Sequence, residues 1–352
     1  METKKKISIK SKEFVGLYHP KTWKEKGLKW TLGLFVATYI VVVLFLGFFW
    51  SAEPSSFDVM ENAQSLTKEN EIRRVTGSVT TATFHRLAST ILDKPGGYLT
   101  NDIAPPGLYL DNIPNWEFGV LVNVRDLSIS LRDDFSRSQS QSSEDKDLVV
   151  VSPRLHFDSD SWIMPSSESQ YKLGIKHLEK YLIRLSENNE LGAQFFTRAD
   201  NLQEWLRLVE KRLGSFSQRL SASAGQYREN TDLAGDAEAK QSTDTPSKIS
   251  VKTKWADVDD VFYETRGYVW ALLHELKAVE VDFKDVLVKK NALASLRQII
   301  RELESTQQTV WSPVILSGSG FGFVTNHSLV MASYISRANA ALIDFRTLLT
   351  KG

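Results

Sequence analysis

The sequence predicts an all-α fold: a single N-terminal transmembrane helix followed by a periplasmic helical bundle with long polar loops. Three observations predict it. Residues 30–50 form an uncharged apolar run, apolar residues recur at steps of three and four through most of the remaining chain, and charge is divided unequally on the two sides of the run.

Residues 1–29 form a basic tail. The first 30 residues carry nine lysines (Lys4, Lys5, Lys6, Lys10, Lys12, Lys21, Lys24, Lys26 and Lys29) against Glu2, Glu13 and Glu25, a surplus of +6. Because the whole chain has 43 basic and 43 acidic residues, the part beyond the run holds 34 and 40, a net of −6. A basic segment beside an apolar run is a topogenic signal that keeps its side cytoplasmic. It points to membrane topology rather than to nucleic-acid binding, and no nucleic-acid partner is expected.

Trp30 to Trp50 reads WTLGLFVATYIVVVLFLGFFW. At about 1.5 Å per residue it spans roughly 31 Å, the thickness of a hydrocarbon core. Trp30 and Trp50 stand where the two interfacial aromatic belts would lie. Signal-peptide apolar regions are shorter, and no good small-x-small cleavage pattern follows, so the run reads as a retained anchor. The bilayer is then one partner, and the expected location is the bacterial inner membrane with the body in the periplasm.

Residues 51–220 form the first helical region. Helices are expected over 78–93, 169–188 and 199–220. In the last of these Leu202, Trp205, Leu206, Val209, Leu213, Phe216 and Leu220 make one stripe behind a capping-box-like Asp200 and Gln203. The segment 116–135 fits a helix, but its Val and Ile content also leaves a strand open. Pro95-Gly96-Gly97 to Pro114 is a turn-rich loop, and Ser136 to Lys146 is polar and of low complexity.

Residues 221–250 have few apolar side chains and read as a disordered insertion. A second helical region, 251–352, is expected to pack on the first. It has helices at 255–288, 291–305 and 327–349, the first with a long stripe from Val258 through Phe262, Val269 and Leu276 to Val286.

Three stretches, RDLSISLRDDFSRSQSQSSEDKDL (125–148), VDDVFYETRGYVWALLHELKAVEVDF (258–283) and SGSGFGFVTNHSLVMASYISRANAALIDF (317–345), resemble a family of uncharacterised single-pass inner-membrane proteins of Gram-negative bacteria. The resemblance implies the same topology and an all-helical body. It carries no active site.

The absence of cysteine excludes thiol nucleophiles, disulfides and thiolate metal sites. The six histidines are at least 21 residues apart, so no HExxH pair exists, and no metal or other cofactor is expected. Asp257, Asp259 and Asp260 suit a helix N-terminus, where negative charge complements the dipole. His274 and Glu275 read as a packing histidine beside a solvated glutamate. Ser317, Ser319, Ser328 and His327 lie near glycines, but the run G-S-G-F-G is not a nucleophile elbow, and no catalytic residue is assigned.

Ser305 to Ser336 is a run of 32 residues without Asp, Glu, Lys or Arg. Its residues Gly318, Gly320, Phe321, Gly322, Asn326 and His327 are the candidate partner or ligand surface. A buried loop, a partner surface and a shallow membrane contact all fit a neutral run. The leading expectation is a membrane-anchored scaffold or adaptor that engages envelope proteins and that could self-associate into a homo-oligomer. A periplasmic module binding lipid, glycan or peptide is the alternative, and an envelope hydrolase the third.

Overall fold

The computed structural model describes residues 16–69, 73–138, 143–187, 192–229, 248–312, 314–319 and 322–351. Helices dominate: α1 Pro20–Lys26, α2 Leu28–Trp50, α3 Val59–Glu69, α4 Ser78–Asp93, α5 Asn112–Ser130, α6 Leu148–Leu155, α7 Ser167–Ser186, α8 Ala199–Ser221, α9 Val258–Asp282, α10 Lys284–Lys289, α11 Leu293–Glu304 and α12 His327–Lys351. The segment 116–135 is helical, as the end of α5 and a π-helical turn, Leu131–Phe135. Short strands β1 (Gln226–Glu229) and β2 (Lys248–Val251) pair antiparallel, so the flanks of the expected insertion carry regular structure. Its centre, 230–247, lies outside the described residues.

α2 is long and apolar enough to cross a membrane, and none of its residues is buried. The rest is a bundle built around α5 and α9. Both bury side chains around most of their circumference, which is the pattern of a core helix rather than a surface one. Their backbones come together at two glycines. A Cβ on Gly119 would lie 1.9 Å from the carbonyl oxygen of Glu264, and one on Gly267 2.0 Å from that of Trp116. Only glycine permits that approach. One continuous apolar core runs from Phe84 and Trp116 through Trp205 and Leu272 to Phe345, joining residues on both sides of the insertion.

The bundle has two distinct ends. At one, where α2 enters, Trp50 stacks over Gly96 and Glu53 pairs with Arg266 of α9. At the far end Asp282 accepts hydrogen bonds from the backbone N–H and hydroxyl of Thr80, at 2.7 and 2.8 Å, and Phe135, Phe195 and Phe283 cluster. The intervening length is set by α9, in which 16 residues separate Arg266 from Asp282, roughly 24 Å at 1.5 Å per residue.

The linker between α2 and α3 is clamped. Arg266, 6% exposed, sets its Nε 2.8 Å from both carboxylate oxygens of Glu53. His274 accepts a hydrogen bond from the backbone N–H of Phe57 at its Nε2 and donates from Nδ1 to the carbonyl of Trp270, while its ring stacks on Phe57 at 4.0 Å. Asp58 then caps α3, accepting from the N–H groups of Met60 and Glu61.

Candidate functional site

The uncharged run begins at the α2 end, and a single side chain places it there. Besides Glu53, Arg266 donates to the carbonyls of Thr306 (2.9 Å), Gln307 (3.2 Å) and Gln308 (2.8 Å). A buried guanidinium needs acceptors for all its N–H groups, and here they come from one carboxylate and three consecutive carbonyls. The start of the run is thereby fixed beside the residue three positions after α2.

From there the chain divides between core and solvent. Thr306, Ile315, Asn326, Ser328, Met331, Ala332 and Ile335 are buried, whereas Trp311 is 92% exposed and Val314, Phe323, Val324 and Val330 also face outward. Ser317 and Asn326 form an isolated antiparallel bridge. The N–H of Gly318 donates to the carbonyl of Thr325 at 3.1 Å, and that of His327 to the carbonyl of Leu316 at 2.9 Å. Residues 317–319 and 322–326 are thus the two sides of a narrow hairpin-like loop. At Gly318 a Cβ would lie 1.9 Å from the carbonyl oxygen of Val324, so this glycine serves close backbone approach across the loop.

Asn326 organises the junction with α12. Its Oδ1 accepts from the N–H of Leu329 (2.9 Å) and the hydroxyl of Ser223 (3.2 Å), and its Nδ2 donates to the carbonyl of Gly318 (2.8 Å). It is at once the N-cap of α12 and a brace for the loop. His327 is half-buried and its Nδ1 accepts from the N–H of Leu316 at 3.1 Å. Gly322 is exposed; Gly320 and Phe321 lie outside the described residues. Between α9, 305–312 and the start of α12 runs an open groove of about 320 Å³, lined among others by Phe262, Arg266, Trp311, His327, Met331 and Tyr334.

Several titratable groups that periodicity did not single out are buried or gathered at helix ends. Lys94 and Glu117 form a 2.5 Å ion pair with both side chains fully buried. Glu117 also accepts from the N–H groups of Leu99 and Thr100 and the Thr100 hydroxyl, so the pair pins the loop that passes under Trp50. Burial pushes the Glu117 carboxyl up, and the ammonium of Lys94 opposes the shift. Glu275 is fully buried rather than solvated, and burial pushes its carboxyl well above its ordinary pKa. A glutamate next to a packing histidine looked like a surface residue because adjacent positions fall on different helix faces; α9 has no solvent face there. Burial likewise lowers His274 to about 4. The carboxylates of Asp111, Asp259 and Asp260 gather within 4.8 Å at the N-termini of α5 and α9. Partial burial and the neighbouring charges of Asp111 and Asp259 push Asp260 up to about 6.

The model of a family described as "Uncharacterized protein conserved in bacteria (DUF2333)" matches residues 23–352. No curated protein and no solved structure matches the chain.

Proposed function

Since the chain belongs to this uncharacterized bacterial family, DUF2333, we propose from its geometry that it is a membrane-anchored helical scaffold of the cell envelope. In this reading α2 spans the inner membrane, the basic tail is cytoplasmic, and the bundle stands in the periplasm. The neutral run is the surface offered to an envelope protein. The observation that carries it is the exposure of Trp311, Val314 and Phe323 on a segment with no charged side chain, held beside the anchor by Arg266. Large apolar side chains grouped on a surface and rimmed by polar ones are the usual mark of an interaction site. The clamped linker supports the same reading, because a scaffold that sits at a fixed height above the bilayer gains from a rigid connection to its anchor.

Photo-cross-linking probes at Trp311 and Phe323 in living cells test this. Discrete protein adducts are expected from both probes, and those from the probe at Phe323 are expected to disappear when Trp311 is replaced by serine. Lipid adducts in their place would overturn the partner surface. The groove beside Trp311 favours a second reading, a module for a small ligand held against Arg266 and His327. Native mass spectrometry of the detergent-purified chain, showing a bound mass absent from an Arg266→Met variant, would favour it.

A further inference from the structure

Two loops at the α2 end carry exposed apolar side chains and no charge. The first, 103–110, reads IAPPGLYL, with Ile103, Leu108 and Tyr109 exposed. The second, 161–167, reads SWIMPSS, with Trp162, Ile163 and Met164 exposed, the last at 93%. They are tied together: Asn101 donates from Nδ2 to the carbonyl of Ser161 at 2.9 Å, and the hydroxyl of Tyr98 donates to the carbonyl of Ser159 at 2.7 Å. Core packing explains neither set of side chains, because all six point away from it.

Their position relative to α2 supplies the explanation. The first loop packs on α2 itself. A Cβ on Gly47 would lie 3.6 Å from the Cβ of Pro106 and 3.8 Å from a methyl of Leu110. Gly47 precedes Trp50 by three residues, roughly 4.5 Å along the helix axis. With Trp50 in the aromatic belt of a spanning α2, this loop is at or just beneath that belt, on the hydrocarbon side. Side chains exposed at that depth meet lipid. Leucine, isoleucine, methionine and tryptophan with a tyrosine are the composition of a shallow membrane-inserting tip, and apolar tips of this kind sink a few ångströms into the headgroup and acyl boundary.

We propose that the periplasmic body is seated on the same bilayer that holds its anchor, through insertion of Ile103, Leu108 and Tyr109 and of Trp162, Ile163 and Met164 into the outer-leaflet interface. This rests on the spanning reading of α2. The seat fixes the tilt of the bundle and leaves the neutral run at the level of the membrane surface. Acidic residues flank both loops (Asp102, Asp111, Asp158, Asp160 and Glu168), so insertion is driven by apolar contact and not by attraction to anionic headgroups.

Because the chain has no cysteine, single-cysteine probes report cleanly. The full chain carrying Leu108→Cys or Ile163→Cys is labelled with an environment-sensitive fluorophore. It is then reconstituted in phosphatidylcholine–phosphatidylglycerol vesicles containing lipids with a nitroxide near the top of the acyl chain. Phe48→Cys in α2 and Lys284→Cys at the far end of the bundle serve as references. The expected result is quenching at Leu108 and Ile163 of at least half that at Phe48, with none at Lys284. Quenching at Phe48 alone overturns the seat while leaving the anchor intact. No quenching at Phe48 overturns the anchor, and the seat with it. Quenching at Leu108 without Ile163 overturns the two-loop seat. Tyr109→Cys and Met164→Cys repeat the measurement should either first variant fail to fold.

Discussion

Arg266 holds Glu53 at 2.8 Å, and with that contact the linker that leaves the apolar helix α2 is joined to the central helix of the body. The same guanidinium binds the carbonyls of Thr306, Gln307 and Gln308, so one residue sets the position of the anchor and of the neutral run together. Replacing it removes the positive charge that faces Glu53 and orphans the buried carbonyl of Thr306 together with the part-buried carbonyls of Gln307 and Gln308. Arg266→Met is expected to lower stability by about 3–5 kcal/mol, the scale for breaking a buried pair from one side. Glu53→Gln, which keeps an acceptor, should cost clearly less. Thermal melts of the two variants in detergent check the order; equal losses would mean that the carboxylate, and not the carbonyl cage, dominates.

The Lys94–Glu117 pair makes a pH-dependent prediction. Without the ammonium, Glu117 is left buried beside its three donors with no opposing charge. Lys94→Met is expected to destabilise by about 3–5 kcal/mol at pH 8. Burial already raises the Glu117 carboxyl, and losing Lys94 raises it further. The folded variant therefore takes up a proton more readily than the unfolded chain, and its deficit shrinks as pH falls. Melts at pH 8 and pH 5 test the sign; a deficit that grew on acidification would refute the assignment.

The glycines between α5 and α9 reverse an ordinary rule. In an exposed helix, glycine to alanine gains about 1 kcal/mol. At Gly119 or Gly267 the new methyl would meet backbone of the neighbouring helix at about 2 Å. Each substitution should instead cost about 1–3 kcal/mol or more, through separation of the two helices. Denaturant unfolding of Gly119→Ala and of Gly214→Ala in α8, where the added Cβ would meet only Asn339 Nδ2 at an ordinary 3.7 Å, provides the comparison.

His274 binds the linker only as a neutral ring, donating from Nδ1 and accepting at Nε2. Its pKa is about 4 in the fold against an ordinary 6.5, because burial disfavours the charged ring. The unfolded chain therefore binds the proton first. The stabilising contribution is complete above pH 6.5 and is lost as pH falls from 6.5 towards 4. His274→Gln should be less stable than the parent at pH 7.5, yet lose less between pH 6.5 and 4.5. Parallel acid profiles for the two proteins would remove the titrating role of this ring.

The sequence by itself determined what depends on local pattern. A helix propagates where apolar side chains recur on one face. So the spans expected at 78–93, 199–220 and 327–349 coincide with α4, α8 and α12 to within about two residues, and the uncharged run of 30–50 becomes the apolar helix α2. The family likeness was also legible, in the distinctive stretches at 125–148 and 317–345. Periodicity misses α3 and α6, which are short: α3 buries only Val59 and Ala63, and α6 buries Leu148, Val151, Ser152 and Leu155 within two turns. At the candidate site, lack of charge marked the segment 305–336, but it could not divide the run between core and surface. Only the tertiary structure decided that Ile315 and Asn326 are buried while Trp311 and Phe323 are exposed. The physical reason is that desolvation is a property of what packs against a residue. Glu275 reads as a solvated charge in one dimension; it is interior, with Arg266 and Glu117, because α5 and α9 approach to backbone contact and are buried around most of their circumference.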